Sequence, residues 1–281
     1  FIIWNEPNYI YENWKKVCKA PNDCWWPTVE EFVDLTVAGV EAVYEVDPSN
    51  KVGVDGTSAF FGTLNTQSGS AAYVAIEVFE ALDAKNLKAV HHFHHYNPDP
   101  YTLKPGDNPS QAIADWRANN PSYLGSNLDE FSDGTPNKPM INGDGIHGSA
   151  VMMAMVANTL NQDIQNIGWF QLHSSTHEAG TIEGRFLGWN ENMIDRSGIF
   201  KPVFWLASLL HDAPGTLLVD DDLDEGDTVR AFTVRNQAGD SYCWYGVNYD
   251  MTGRSATIRI NAKNLPTDTN AWKYTTYKIG R

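Results

Sequence analysis

Two acidic residues each follow a short apolar stretch that is typical of a buried strand. Glu6 comes after the run Phe1-Ile2-Ile3-Trp4-Asn5 and precedes a proline, and Asp144 ends the stretch Pro139-Met-Ile-Asn-Gly-Asp. If both strands belong to one parallel sheet, their carboxyl ends lie at the same edge and both carboxyl groups face one site. Such a pair supports general acid, general base or nucleophilic chemistry. For Asp144 taken alone, a turn residue within Asn-Gly-Asp-Gly is the more ordinary interpretation.

Four histidines lie within one predicted strand, Lys88 to Pro98. Side chains alternate along a strand, so His92, His94 and Tyr96 are expected on one face and the other two histidines on the opposite face. Buried histidines that bond to the backbone are the simplest interpretation of that second pair.

The pair on the first face could instead hold a zinc or copper ion. Metal sites need a third ligand, and none is spaced beside the pair; His147 and His173 are the remaining candidates across the sheet. We therefore expect no metal site and no organic cofactor.

The elements that position these residues alternate between strand and helix. Strands are predicted at five places, each followed by a helical pattern: Phe1 to Asn5, Lys51 to Thr57, Lys88 to Pro98, Lys138 to Asp144 and Asn166 to Ser174. Strict alternation of this kind predicts a parallel sheet of the α/β class, most simply a (β/α) barrel. A complete barrel has eight units, so residues 1–212 are expected to form a partial barrel that lacks three amino-terminal strands and leaves an unpaired edge at Ile2 and Ile3.

The pattern changes to a period of two from Thr216 onward. Runs such as Thr228 to Arg235, Ser241 to Asn248 and Ala256 to Ile260 alternate apolar and polar residues and are separated by turn-forming residues. Residues 213–281 are therefore expected to form a carboxyl-terminal antiparallel domain that resembles a β-sandwich.

The motif Trp4-Asn5-Glu6-Pro7-Asn8 resembles the acid/base strand of the retaining glycoside hydrolases of clan A, and most of all family 39, which contains β-xylosidases and α-L-iduronidases. The resemblance implies a TIM barrel of which this chain carries strands 4 to 8. It also implies that Glu6 is the proton donor and that Asn5 binds the sugar 2-hydroxyl.

The same resemblance extends to three later strands. His94-His95-Tyr96 is similar to the His-x-Tyr of the family, which implies that His94 contacts the substrate or nucleophile and that Tyr96 supports the nucleophile. Trp169 occupies the eighth strand, where these enzymes hold an aromatic residue under the sugar ring; the alternative is a barrel-wall tryptophan. The nucleophile position falls on Asp144, where the family has a glutamate.

Composition and charge limit the classes of partner. The chain has 281 residues and a net charge of −15, which repels nucleic acid and anionic membranes, whereas 12% aromatic residues suit an oligosaccharide or polysaccharide substrate.

The chain has three cysteines. Cys18 and Cys24 are close enough in sequence to form a small disulfide loop, with reduced cysteines as the alternative, and Cys243 has no predicted disulfide partner. We expect an extracellular or periplasmic protein, and the oligomeric state stays open.

The sequence thus predicts a secreted glycosidase that cleaves an equatorial (β) glycosidic bond with retention of configuration. Two other classes remain open at this level. A non-catalytic carbohydrate-binding protein is favoured if the carboxyl groups of Glu6 and Asp144 diverge in space. A histidine-ligated metallohydrolase is favoured if His92 and His94 converge with a third ligand.

Overall fold

The computed structural model describes two sheets and four helices. The residues that it describes are 1–4, 28–57, 71–96, 120–132, 146–160, 164–169, 172, 193–194, 198–212, 215–220, 229–248, 273 and 275–279. The helices are α1 (Val29–Val46), α2 (Ala71–Ala84), α3 (Ile146–Thr159) and α4 (Pro202–His211). The strands are β1 (Ile2–Ile3), β2 (Gly53–Thr57), β3 (Ala89–Tyr96), β4 (Tyr123–Ser132), β5 (Ile164–Trp169), β6 (Thr216–Asp220), β7 (Val229–Arg235) and β8 (Tyr242–Asn248).

The first sheet has five parallel strands in the order β1-β2-β3-β4-β5. Parallel neighbours need a connection that returns across the sheet. Helices α1, α2 and α3 lie in three of these connections, and most of the connection between β3 and β4 lies outside the described residues. The sheet is therefore the five-stranded α/β sheet expected of a partial barrel. Strand β1 lies at one edge and pairs with β2, through Ile2 with Gly53 and Ile3 with Val54.

One strand of this sheet is not where the sequence predicts it. The fourth strand is Tyr123–Ser132 and not Lys138 to Asp144, which lies outside the described residues. The strand was missed because Gly125, Ser126 and Asn127 are poor β-formers. Contacts with β3 explain why these residues lie in a strand: the side chain of Ser126 contacts His91, and that of Asn127 contacts His92.

Helix α1 shows how local sequence fixes an element. Thr28 accepts a hydrogen bond from the backbone of Glu31 at 3.1 Å, and the Glu31 carboxylate accepts one from the Thr28 backbone at 2.7 Å. This capping box satisfies two amide groups that a helix start leaves without partners. Helix α1 then buries Phe32 and Val40 against the outer face of the sheet.

The second sheet is antiparallel, with the order β6-β7-β8. Its inner face shares an apolar cluster with the first sheet: Phe232 packs with residues of α3, α4 and β5, and the Tyr245 hydroxyl donates to the Leu209 carbonyl at 3.0 Å. The described residues thus confirm an antiparallel sheet after the barrel units. The second layer of a sandwich and the run Ala256 to Ile260 lie outside the described residues, and the domain boundary at 212 stays a prediction.

No helix among the described residues is both long enough and apolar enough to cross a membrane. Cys243 is a free thiol, and the predicted pair of Cys18 and Cys24 lies outside the described residues.

Candidate active site

A chain of polar side chains covers the inner face of β3, β4 and β5. Asn166 donates from Nδ2 to Asn127 Oδ1 at 3.0 Å, and Asn127 Nδ2 lies 3.1 Å from His92 Nε2. His92 Nδ1 lies 2.9 Å from Asp129 Oδ2. Because Nε2 of His92 accepts from the amide, the proton of a neutral His92 is on Nδ1 and is donated to Asp129. The hydrogen bonds therefore run in one direction and end at the Asp129 carboxylate.

His94 lies between two carboxyl groups. Its Nδ1 is 3.3 Å from Glu130 Oε2, and its Nε2 is 3.7 Å from Asp129 Oδ1. The imidazole is 1% exposed, and the Asp129 and Glu130 side chains are 22% and 27% exposed. His92 and His94 contact the same carboxylate, so they lie on one face of β3, as the alternation of the strand predicts.

Glu130 is a site residue that the sequence reasoning missed. It lies two residues before the end of β4, which is the third strand after β1 in the sheet. Its Cα is paired with that of His94. The signal that could have found it is the acidic pair Asp129-Glu130 between Leu128 and Phe131, both of which are fully buried. A carboxylate pair inside an apolar stretch is costly to bury without a function or a partner.

The opposite face of β3 has a structural role. His91 is fully buried, stacks on Phe93 with ring centres 5.7 Å apart, and has Nδ1 3.3 Å from Ser126 Oγ. The Ser126 hydroxyl is also 2.6 Å from that of Tyr123. Burial, with a smaller contribution from the charge of His92 and an opposing one from Asp129, lowers the pKa of His91 to about 3. His91 is therefore neutral at pH 7 and buried in the core, as expected, but the partner of its Nδ1 is the Ser126 side chain and not the backbone. The side chain of His95, the other outer histidine, lies outside the described residues.

Among the predicted site residues, the structure places only His94 in this network. Asn5, Glu6 and Asp144 lie outside the described residues, and of Tyr96 only the backbone is described. The roles of these four residues stay predictions.

Trp169 lies in the apolar cluster and not beside the polar chain. It is 8% exposed and packs edge-to-face on Phe131, with ring centres 5.1 Å apart. It also lines a cavity of about 470 Å³ between the first sheet and the second, with Met152 and Phe232 among the other lining residues. These contacts are those of a barrel-wall residue, and stacking of Trp169 under a sugar stays a prediction.

The histidines do not form a metal site with other described residues. Within the described ranges, no group of three or more His, Cys, Asp or Glu side chains could hold a metal ion. His92 directs Nδ1 to Asp129 and Nε2 to Asn127, so both of its ring nitrogens already have protein partners.

Comparison with solved structures finds the same fold in glycoside hydrolases. A monomeric β-xylosidase from Caulobacter crescentus matches 83% of this chain with 18% identity and a TM-score of 0.55, and 46% of its own length is covered. The family 39 glycoside hydrolase from Xanthomonas axonopodis pv. citri matches 84% of this chain with 18% identity and a TM-score of 0.56, also over 46% of its length.

A xyloglucanase of family 44 from Paenibacillus polymyxa matches 88% of the chain with 10% identity and a TM-score of 0.55, over 53% of its length. No protein-family model matches the sequence, and no curated protein is similar to it. The chain thus spans about half the length of the solved structures it resembles and shares their fold over most of its own length.

Proposed function

We propose that this protein is a glycoside hydrolase that cleaves a β-glycosidic bond with retention of configuration, with Glu6 as acid/base and Glu130 as nucleophile. The observation that carries the proposal is the position of Glu130. It lies near the carboxyl end of β4, three strands from the strand that leads to Glu6, and it is partly exposed beside His94. In a barrel, the carboxyl ends of the strands surround the reaction site.

The distance between these strands suits a pair of carboxyl groups. Three strand spacings amount to about 14 Å along the sheet. Curvature of a barrel wall shortens this span, and two glutamate side chains that extend inward shorten it further. Retaining glycosidases hold their carboxyl groups about 5 to 5.5 Å apart, which two inward glutamates on such strands can reach.

The chemistry then proceeds in two displacements. Glu6 gives its proton to the glycosidic oxygen while the Glu130 carboxylate attacks the anomeric carbon, so the leaving alcohol departs and a glycosyl ester forms on Glu130. Glu6, now a carboxylate, takes a proton from water, which attacks the same carbon and releases Glu130. No cofactor takes part in this scheme.

Glu130 fits the nucleophile role better than Asp144. The assignment of Asp144 rested on a fourth strand at Lys138 to Asp144, and that place in the sheet is held by β4. Glu130 also has the residue type that the family resemblance implies at this position. Asp144 is kept as the competing candidate, and the experiment below distinguishes the two.

The substrate class is an oligosaccharide or polysaccharide of β-linked xylose or glucose units. Similar structures include proteins described as a β-xylosidase, as a glucosidase and as a xyloglucanase with bound xyloglucan. Asn5 then binds the 2-hydroxyl, and Tyr96 belongs to the same sugar site. The net charge of −15 is compatible with a neutral sugar polymer outside the cell or in the periplasm.

The test combines activity with identification of the labelled residue. The parent chain is assayed on 4-nitrophenyl β-xyloside and β-glucoside, beside Glu6→Gln, Glu130→Gln and Asp144→Asn. We expect Glu130→Gln to lose turnover and Asp144→Asn to keep it. Glu6→Gln should hydrolyse unactivated glycosides about 10² to 10⁴-fold more slowly. With the activated aryl glycosides it should still form the glycosyl-enzyme, because a good leaving group needs little protonation. Hydrolysis of that intermediate should slow, because Glu6 is the base of the second step, so we expect a burst followed by slow turnover.

A 2-deoxy-2-fluoro aryl glycoside should label the parent, and peptide mass spectrometry should find the sugar on Glu130. A sugar found on Asp144 would restore the earlier assignment. An inverted first product would exclude the double displacement, and a parent with no activity on any β-glycoside would favour a non-catalytic sugar-binding protein.

A further inference from the structure

Asp129 is an extra residue in β4 relative to β3, and the segment of β4 that contains it is also one residue longer than the facing segment of β5. Against β3, Phe93 is paired with Leu128 and His94 with Glu130, so Asp129 is skipped. Against β5, Leu128 is paired with Ile167 and Phe131 with Trp169, so β4 again contains one residue more than its partner. A bulge of this kind redirects side chains, and bulges are frequent beside active sites.

The bulge explains how two consecutive acidic residues reach the same histidine. In a regular strand Asp129 and Glu130 would point to opposite faces. Here Asp129 Oδ1 lies 3.7 Å from His94 Nε2, and Glu130 Oε2 lies 3.3 Å from His94 Nδ1. His94 therefore connects a carboxylate outside the proposed chemistry with the proposed nucleophile.

The neighbouring strands are built to accommodate this arrangement. A Cβ on Gly168 of β5 would lie 2.6 Å from the carbonyl oxygen of Asp129, a distance that real Cβ atoms do not show. A Cβ on Gly53 of β2 would collide with the imidazole of His92, which is the other partner of Asp129. Gly168 thus lets the bulge at Asp129 approach the backbone of β5 closely, and Gly53 lets the imidazole of His92 approach the backbone of β2.

We propose that Asp129 is a positioning residue for Glu130 and that it acts by keeping His94 in the imidazolium form. A neutral imidazole has one N–H and can donate to only one carboxylate, whereas an imidazolium can donate to both. Asp129 already accepts from His92, and its Oδ1 lies 3.7 Å from Nε2 of His94, at ion-pair distance. An N–H of His94 then faces the Glu130 carboxylate and orients it for attack. This inference rests on the proposed function for the role of Glu130.

Three charged or titratable side chains of the described strands lie close to His94. Asp129 and Glu130 face it from β4, and His92 precedes it on β3 with its Nε2 occupied by Asn127. Replacing Asp129 by asparagine keeps the size of the side chain and removes the charge. His94 should then lose its second proton, and Glu130 should lose its ion pair with the imidazolium.

The experiment measures the charge of His94 directly. Spectra of ¹⁵N-labelled histidine at pH 7 are compared for the parent, Asp129→Asn and Asp129→Glu, with His94→Gln used to assign the signals. We expect both ring nitrogens of His94 to be protonated in the parent and in Asp129→Glu, and only one in Asp129→Asn. An unchanged charge of His94 in Asp129→Asn would overturn the proposal, whether or not the chain hydrolyses glycosides.

Activity supplies the second readout. Asp129→Asn should lower kcat by about five- to tenfold, since charge-assisted hydrogen bonds are about twice as strong as neutral ones. It should also move the acidic limb of the kcat/KM profile to higher pH, because loss of the His94 cation makes ionisation of Glu130 harder.

Asp83→Asn is the matched control. The Asp83 carboxylate accepts a hydrogen bond from the Ser122 backbone at 2.8 Å, before β4 begins, so the stability should change and the pH profile should not. A shift in both variants would point to a merely structural role and overturn the proposal. A parent without activity, but with a His94 charge that follows Asp129, would contradict only the proposed function.

Discussion

At the residue scale, the histidines of β3 show how one residue type has two roles within one strand. His91 is enclosed by Phe79, Phe93 and the Ser126 hydroxyl, while His94 is enclosed by carboxylates. Strand alternation predicts the division into two faces. It does not predict the partners, because those come from β4, which the sequence pattern did not reveal.

The buried His91 gives stability a dependence on pH. The folded chain takes up this proton only near pH 3, whereas an unfolded chain takes it up near pH 6.5. The unfolded state therefore binds more protons between these values, and the free energy of unfolding falls as the pH is lowered from about 6.5 toward 3. The stabilising contribution of the neutral histidine is complete above about pH 6.5. Below that pH, the free energy of unfolding falls by at most about 1.4 kcal/mol per pH unit.

His91→Leu removes this proton site and retains an apolar side chain. We expect urea unfolding of the parent to lose more stability between pH 7.5 and 5 than unfolding of His91→Leu does. His211→Leu is the control for replacing an exposed histidine by leucine. Parallel stability curves for the parent and His91→Leu would show that His91 takes up its proton at the same pH in the folded and unfolded states, which would contradict the lowered pKa.

At the element scale, the sequence predicts what is periodic and misses what is irregular. Strands β2 and β3 lie within a few residues of their predicted places, and helix α1 follows β1 as the alternation predicts. Strand β4 is polar in its middle and contains a bulge, so neither propensity nor alternation identifies it. His94 was found because it lies on a regular strand, and Glu130 was missed because it lies beyond the bulge.

The bulge in β4 depends on one glycine in β5. Gly168→Ala should push the Asp129 carbonyl and its strand away, which costs about 1 to 3 kcal/mol of stability as in other overpacked sites, and it should also lower activity. Gly198→Ala is the comparison, since Gly198 has a φ of +79° and no atom within 4 Å of an added Cβ. It should lose stability through backbone strain and keep its activity per folded molecule. Equal activity losses in both would remove the special role of Gly168.

At the scale of the whole molecule, the two sheets share one apolar cluster. Phe232 of β7 is 4% exposed and packs in the same cluster as Met152, Leu206 and Trp169 of the first sheet and its helices. The second sheet therefore covers apolar surface on the barrel units. Unfolding of the two sheets is expected to be a single cooperative transition.

Phe232→Ala tests this coupling. Removal of a buried phenylalanine costs about 3 to 5 kcal/mol, and we expect the loss to appear equally in fluorescence and in far-UV circular dichroism, with one midpoint. Thr233→Ala, which alters the next residue of the same strand at partial exposure, should cost less than about 1 kcal/mol. Two separated transitions in Phe232→Ala would mean that the sheets fold independently.

The run His91-His92-Phe93-His94 also affects the fidelity of folding. A slip of one residue would exchange the two faces of β3. In these four residues the slipped strand would still present a histidine on each face, so Phe93 alone distinguishes the correct register from the wrong one. Burying this one ring is worth about 1.5 to 3 kcal/mol, which is the margin that these residues hold against misregistration. Within these four residues, the choice of the correct register of β3 therefore depends on a single aromatic side chain.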